Sequence, residues 1–227
     1  MFALPIILGI AGQGGAQISD KKEILTPQVR QKVLERDDNT CQFCGFHSKK
    51  YQDIHQIDHN IDNVEINNLA TVCIFCHQCF DLEKTAQMRS GVLVWLPEIE
   101  QAQLSHIARS IYVARISQGS MADTAKKALE TIMKRREEAK SRIETDDPFV
   151  LAMVMRDFLG PKHYAMRTEK LEGIRLFPLD RRIIKEGDLE FNQFPQILAY
   201  WRSKDGPFGG KVPSQWKNFY AELQQVA

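Results

Sequence analysis

Two short phrases of the sequence decide the fold: Cys-Gln-Phe-Cys-Gly at residues 41–45 and Cys-Ile-Phe-Cys-His at residues 73–77. Each holds two cysteines separated by two residues, a spacing at which neighbouring sulfurs can share one metal ion. Two such pairs supply the four thiolates of a tetrahedral zinc site. Buried reduced thiols or disulfides are the alternative interpretation. We predict structural Zn²⁺ bound by Cys41, Cys44, Cys73 and Cys76.

The fifth cysteine, Cys79, follows the second pair and fits neither spacing. It is either a spare buried thiol or a substitute ligand. Cysteines paired for zinc are typical of a reducing compartment, because oxidising compartments convert such thiols to disulfides. The sequence therefore favours a cytoplasmic protein.

Composition limits the function classes. The chain has 227 residues, of which 43% are hydrophobic and 26% charged, as in ordinary globular proteins. Its formal net charge is +1, so no overall basic field argues for general nucleic-acid binding.

The first ten residues are apolar and run into a glycine-rich segment. They lack a positively charged start, Pro5 interrupts them, and they are much shorter than the roughly 20 residues of a membrane helix. We interpret them as a buried strand or packing arm and expect no direct membrane insertion.

The pattern of the chain predicts an α+β, mostly helical fold. We assign residues 1–25 to an apolar arm and linker, 26–98 to a zinc-binding module, and 99–227 to a mainly helical region. In the module, a helix begins at Pro27 behind the N-cap Thr26. Segment 51–59 favours a strand, segment 67–73 a strand or the start of a helix, and the segment from Cys76 a short helix, which together predict a ββα unit.

Beyond the module, residues 91–97 form a β-branched and aromatic run that proline ends, as expected of a strand. Apolar positions recur at helical spacing in 104–115, 125–133 and 149–159. Residues 171–184 favour at most a short strand and a loop. Two aromatic-rich helices are predicted at 194–201 and 216–223, on either side of a glycine loop.

Polar residues inside the cysteine frame add a second motif. Asp58-His59, Asn68 and His77, with the two cysteine pairs, resemble an HNH endonuclease module with its structural zinc. The resemblance implies a ββα-metal fold in which His59 is the general base and Asn68 holds the loop. It further implies that Asp58 and His77 bind a catalytic Mg²⁺ or Mn²⁺. A neutral imidazole can take a proton from water while the ion stabilises the phosphate.

The sequence departs from the HNH pattern at two places. The loop between His59 and Asn67 is short and lacks the usual proline and paired glycines, and Phe80 stands where a lysine commonly follows the last histidine. An aromatic ring cannot replace a cation at a phosphate. The alternative interpretation is that Asp58, His59 and His77 are packing residues on an inherited fold.

A second resemblance covers most of the chain. It is carried by the apolar start 1–10, the phrase Cys-Gln-Phe-Cys-Gly-Phe at 41–46, the segment 76–80 and Val-Leu-Val-Trp-Leu-Pro-Glu at 92–98. These resemble the IcmJ/DotN proteins of Dot/Icm-type (type IVB) secretion systems. The resemblance implies a non-catalytic component associated with the inner-membrane secretion complex. It would bind the carboxy-terminal extension of the coupling ATPase and other coupling-complex subunits, and help recruit effectors.

Two hypotheses therefore remain. The first is a zinc-stabilised adaptor whose helical half offers an apolar groove to a partner helix. The second is a metal-dependent HNH endonuclease with DNA as its partner. The near-neutral charge, the long helical region and the departures around His59 and Phe80 favour the adaptor.

Overall fold

The computed structural model describes residues 4–12, 25–60 and 62–216, and it confirms an α+β fold that is mainly helical. The helices are α1 (Pro27–Arg36), α2 (Ile74–Phe80), α3 (Leu82–Gln87), α4 (Gln101–Arg115), α5 (Ser120–Ile143), α6 (Pro148–Phe158), α7 (Pro161–Ala165), α8 (Arg167–Lys170) and α9 (Phe194–Arg202). The strands are β1 (Gln52–Gln56), β2 (Leu69–Cys73), β3 (Gly91–Trp95), β4 (Ile174–Pro178), β5 (Ile183–Glu186) and β6 (Leu189–Asn192). Single 3₁₀ turns lie at Ile66–Asn68 and Pro213–Gln215.

The predicted ββα unit is present in the order β1, β2, α2. The two strands are antiparallel, with Gln52 opposite Cys73 and Gln56 opposite Leu69. Every residue of β2 is buried, so this strand forms the interior of the unit. At its end Cys73 becomes the N-cap of α2, because its Sγ accepts a hydrogen bond from the Cys76 amide at 3.4 Å. The strand-to-helix junction thus positions the second cysteine pair.

A second sheet joins distant parts of the chain. Strand β3 pairs antiparallel with β4, with Gly91 opposite Pro178. The Gln101 side chain at the start of α4 donates to the Leu176 carbonyl at 2.8 Å and accepts from its amide at 2.9 Å. The regions assigned as zinc module and helical region therefore share one sheet. The division of the chain at residue 98 stays a prediction.

Aromatic rings of α9 close the core over the cysteine region. Trp201 is 1% exposed, and its ring packs edge-on against Phe46 and Phe75, with centroids 5.8 and 5.5 Å away. Burying large aromatic side chains is a strong stabilising contribution, here on the order of 2–3 kcal/mol per ring. Helix α9 is thereby held against the cysteine region.

Residues 4–12 contain no strand, and they pack against the core as an arm. Leu8 and Ile10 are buried in a core cluster with Cys79. The Gly9 amide donates to the Cys79 carbonyl at 2.9 Å, and the Gly9 carbonyl accepts from the Leu82 amide at 3.0 Å. Backbone hydrogen bonds therefore fasten the arm to the junction of α2 and α3.

Some elements differ from the sequence-based prediction. The short helix expected after Cys76 is two helices, separated at Asp81, whose carboxylate accepts from the Lys84 amide and starts α3. Segment 171–184 contributes to two strands, and β5 pairs with β6 in a hairpin that the sequence did not predict. The aromatic helix predicted at 216–223 lies outside the described residues except for Trp216. Among the described helices, none has the length and hydropathy required to cross a bilayer.

Candidate functional site

The four predicted metal ligands come together. The sulfurs of the two cysteine pairs all lie within 4.8 Å of one another, and those of Cys44 and Cys73 are 3.7 Å apart. Zinc bound tetrahedrally at about 2.3 Å from each sulfur requires sulfur–sulfur distances of about 3.8 Å. The grouping of the four sulfurs is therefore compatible with a metal ion bound by four thiolates. In the described ranges, these cysteines are the one such group of three or more ligating side chains.

The first pair is shaped by a tight turn. The Cys41 amide donates to the Phe46 carbonyl at 3.0 Å, and the Gly45 amide donates to the Cys41 carbonyl at 2.8 Å. Gly45 has a φ of +72°, which glycine adopts at little steric cost. This left-handed residue lets the chain reverse directly after Cys44.

The sulfur group favours the thiolate form of Cys44. Cys41, Cys73 and Cys76 are buried and Cys44 is half-buried. Hydrogen bonding from Cys41, and then from Cys73, lowers the pKa of Cys44 far below its ordinary value. The thiolate is the metal-binding form of cysteine, so this shift favours metal binding at Cys44.

A buried arginine of α4 contacts the sulfur group. The Nη2 atom of Arg109 donates to the Cys73 sulfur at 2.7 Å, and its guanidinium carbon lies 4.0 Å from the centroid of the Phe46 ring. Burial alone would lower the pKa of Arg109, but the thiolates, first those of Cys73 and Cys44, raise it above its ordinary value. A Zn²⁺ held by four thiolates would carry two net negative charges, and the arginine would offset one of them.

A histidine of the same helix lies on the exposed side of the group. The Nε2 atom of His106 is 2.7 Å from the Cys44 carbonyl oxygen. Hydrogen bonding to Cys44 raises the pKa of His106 above its ordinary value. Helix α4 therefore contributes two side chains to the shell around the sulfurs, and the sequence analysis identified neither. Arg109 is a basic residue within the apolar stripe of α4, and that position is the signal by which the sequence could have identified it.

The structure places Cys79 outside the group of four sulfurs. Its thiol is fully buried and donates to the Phe75 carbonyl at 3.6 Å, one helical turn earlier. Burial raises the pKa of Cys79 well above its ordinary value. Of the two alternatives for this residue, the geometry corresponds to the spare buried thiol.

The residues of the HNH motif are divided between two hydrogen-bonded groups. Asn68 donates through Nδ2 to Asp58 Oδ1 at 2.9 Å, and its own Oδ1 accepts from the Asp58 amide at 3.1 Å. The remaining Asp58 oxygen accepts from Asn63 at 2.7 Å. His77 instead contacts Asp53, with 3.1 Å between Nδ1 and Oδ2. These contacts therefore couple Asp58 to the asparagine loop and His77 to β1.

Strand β1 supplies polar residues that the sequence analysis missed. Asp53 also accepts a hydrogen bond from Arg30 at 2.8 Å. Burial alone would raise the pKa of the Asp53 carboxyl, but the hydrogen bonds from His77 and Arg30 hold that pKa well below its usual range. His55 lies 3.2 Å from His59, measured between Nε2 and Nδ1. Asp53 and His55 occupy alternate positions of β1, so their side chains lie on the same face of the strand. This spacing of two residues is a signal that was present in the sequence.

His55 is held neutral. Its ring stacks on Phe80, with centroids 4.1 Å apart. Burial, and then the charges of His77 and His59, lower the pKa of His55 to about 3. Burial likewise lowers the pKa of His59. Phe80, which stands where HNH modules commonly have a lysine, therefore packs against His55 and His59.

The histidines line a small cavity that the amino-terminal arm borders. Its volume is about 130 Å³, and its lining includes His55, His59, His77 and the arm residues from Ile10 to Gly12. Clefts that bind drug-sized ligands measure about 300–1,000 Å³. The Tyr164 hydroxyl accepts from the Ile10 amide at 3.1 Å, which fixes the arm beside the cavity.

Comparison with known proteins assigns the chain to a family. No protein-family model matches it. It is 32% identical over 160 residues to the type 4 apparatus protein DotN of Legionella pneumophila subsp. pneumophila (strain Philadelphia 1), a match that spans 69% of this chain and 74% of the relative. That extent includes most of the chain, as the resemblance in the sequence predicts. The chain therefore belongs to the IcmJ/DotN family.

Proposed function

We propose that this protein is a zinc-binding adaptor of a Dot/Icm-type (type IVB) secretion system. In this proposal it acts on the cytoplasmic side of the inner-membrane secretion complex, where it binds the carboxy-terminal extension of the coupling ATPase. With other coupling-complex subunits it helps recruit effectors. The observation that carries the proposal is the similarity to DotN, a type 4 apparatus protein, over most of both chains.

The cysteine group supports a structural role for the metal. Its donors are four soft sulfurs, a set that favours Zn²⁺ over the hard cations that catalyse phosphate chemistry. A structural zinc site has all four positions filled by protein, whereas a catalytic one keeps a position open for water. Zinc here would hold the Cys41 turn, the end of β2 and the start of α2 together, and it would stabilise the surface that partners bind.

The HNH residues support the adaptor over an active nuclease. A nuclease in which Asp58 and His77 bind one ion needs both side chains available to it. In the structure the carboxylate of Asp58 accepts from Asn60, Asn63 and Asn68, and the imidazole of His77 is paired with Asp53. These contacts give the polar residues a role in holding the loop and β1.

The proposal is tested with purified components. The full chain is expected to elute as a complex with the coupling ATPase extension from the same genome, to contain one zinc ion per chain, and to leave supercoiled plasmid DNA uncut in Mg²⁺ or Mn²⁺. Failure of the extension to bind overturns the adaptor proposal. Plasmid cleavage that His59→Ala abolishes would instead support the HNH endonuclease.

A further inference from the structure

An apolar groove lies on the side of the molecule formed by α6, α7 and α8. Its volume is about 420 Å³. Leu151 and Met155 of α6 form the buried floor, at 8% and 1% exposed. Val150 and Val154, one helical turn apart, line it while remaining 44% and 42% exposed, and Met166 lines it from the α7–α8 side at 40%. Single exposed apolar side chains are ordinary, but a contiguous set around a groove marks an interaction surface.

The groove has a basic rim. His163, Arg167 and Lys170 line it, and they are spaced by four and three residues, so they follow one side of the α7–α8 segment. None of its lining residues is acidic. Within the ranges that the structure describes, neither Arg167 nor Lys170 forms an ion pair. The rim charge is thus available to a partner.

Arg167 is held in position at this rim. Its Nε atom donates to the Leu8 carbonyl at 2.9 Å, and its Nη1 atom donates to the Tyr164 carbonyl at 3.0 Å. Both acceptors are neutral, so they orient the guanidinium without compensating its charge. A preoriented cation loses little conformational entropy when it pairs with a carboxylate.

We infer that this groove docks an acidic amphipathic helix of a partner protein. Apolar side chains of that helix, spaced by three and four residues, fill the groove between Val154 and Met166, and flanking carboxylates face Arg167 and Lys170. Helix α6 has 11 residues, which corresponds to a length of about 16 Å, so about three turns of the partner helix are in contact. The inference rests on the proposed function, because the partner helix is taken to belong to the coupling ATPase extension.

A membrane surface would use α6 differently. It would insert the most exposed apolar side chain of the helix, Phe158, which is 78% exposed. Phe158 does not line the groove. The combination of a concave apolar floor with a one-sided basic rim favours a helix with carboxylates, and the two α6 residues Val154 and Phe158 separate these occupants experimentally.

The test measures the affinity of the zinc-loaded full chain for the fluorescently labelled ATPase extension. Val154→Glu places a carboxylate in the groove and is expected to raise Kd at least tenfold. Phe158→Glu is the matched control on the same helix and is expected to change Kd less than twofold. Lys170→Glu is expected to raise Kd several-fold and to make binding less sensitive to salt, since it removes a screened attraction. Thermal unfolding and zinc content verify that each variant is folded.

The outcomes separate the inference from the proposed function. Wild-type binding that Val154→Glu leaves unchanged overturns the groove inference alone. Wild type that fails to bind the extension overturns the proposed function and the groove inference with it. Binding of lipid at this face would also overturn the inference. It would be shown if the protein floats with phosphatidylglycerol vesicles, Phe158→Glu abolishes that flotation, and Val154→Glu leaves extension binding unchanged. The inference is likewise overturned if the protein forms a concentration-dependent dimer that Val154→Glu dissociates while extension binding is unchanged.

Discussion

The Nη2 atom of Arg109 lies 2.7 Å from the sulfur of Cys73, and this contact joins helix α4 to the cysteine group. The arginine is 1% exposed, and neither its Nε nor its Nη1 has a hydrogen-bond partner among the described residues. Its guanidinium lies over the faces of Phe46 and Phe75, at 4.0 and 5.0 Å. An isolated buried cation costs several kcal/mol, so the negative charge of the sulfurs must compensate it.

Arg109→Met tests that charge balance. The variant keeps a long apolar side chain against the aromatic rings but removes the cation beside the thiolates. We expect zinc affinity to fall about 10- to 100-fold, as is typical when a residue supporting metal ligands is removed. Competition with a chromophoric chelator measures it. Arg115→Met is the control on the same helix, because Arg115 pairs with Asp180 at 3.0 Å. Equal zinc affinity of wild type and Arg109→Met would contradict the charge-balance argument.

A matched pair of substitutions distinguishes a cysteine of the four-sulfur group, Cys44, from the spare buried cysteine, Cys79. Cys44→Ser removes one of four ligands, and we expect loss of bound zinc with a drop in the free energy of unfolding of several kcal/mol, because metal binding and folding are coupled. Cys79→Ser should retain one zinc per chain and cost about 1 kcal/mol, since a hydroxyl can also donate to the Phe75 carbonyl. Elemental analysis and urea unfolding measure both. Zinc loss from Cys79→Ser would mean that Cys79 supports the site directly.

Local signals in the sequence were sufficient to predict that the two cysteine pairs come together and where the neighbouring elements lie. The spacing of the two pairs predicted the ligands, and the N-cap Thr26 with Pro27 predicted α1, whose Val29 amide donates to Thr26 at 3.3 Å. These features depend on residues a few positions apart. The apolar run at 91–97 likewise predicted β3.

Features that depend on distant residues were not predictable in the same way. Strand β3 pairs with β4, more than 80 residues later, and no local pattern specifies that register. The contact of Arg109 with Cys73 also joins separate elements. The position of Arg109 in the apolar stripe of α4 was not recognised as that of a buried cation, because its partner can be identified only once the helix is placed against the sulfurs.

The depressed pKa of His55 predicts acid sensitivity. The folded value is about 3 and the ordinary value 6.5, so below pH 6.5 the unfolded chain binds a proton that the folded chain does not. Stability should therefore fall as pH falls below 6.5, by about 2 kcal/mol at pH 5 from this residue. His55→Phe keeps a ring against Phe80 and should reduce the loss between pH 7 and 5 by up to that amount.

The comparison of the two pH profiles isolates His55 from its neighbours. His59 and His77 face it and remain in both proteins, as do the carboxylates of Asp53 and Asp58, whose lowered pKa values act at more acidic pH. Urea unfolding is measured at each pH with zinc content monitored. Parallel profiles for wild type and His55→Phe would show that the ring is not the acid-sensitive group.

Tyr164→Phe tests how the amino-terminal arm is held. The Tyr164 hydroxyl accepts from the Ile10 amide at 3.1 Å, and its loss leaves a buried donor without that partner. We expect a destabilisation of about 1–2 kcal/mol and faster hydrogen exchange in residues 4–12. Tyr112→Phe is the control, because it removes a buried hydroxyl bond to the Pro178 carbonyl, at 2.7 Å, in another part of the core. Equal exchange of the arm in both variants would contradict a specific role for Tyr164.

His59→Ala tests whether the HNH-like residues do chemistry. Because the Asp58 carboxylate is bonded to Asn63 and Asn68 and the arm borders the histidine cavity, we expect wild type to leave supercoiled plasmid intact in Mg²⁺ or Mn²⁺. His59→Ala should then bind the coupling ATPase extension within twofold of wild type, since His59 does not line the groove between Val154 and Met166. Nicking by wild type that disappears in His59→Ala would show that the inherited site is active. Retained nicking in the variant would identify a contaminating nuclease.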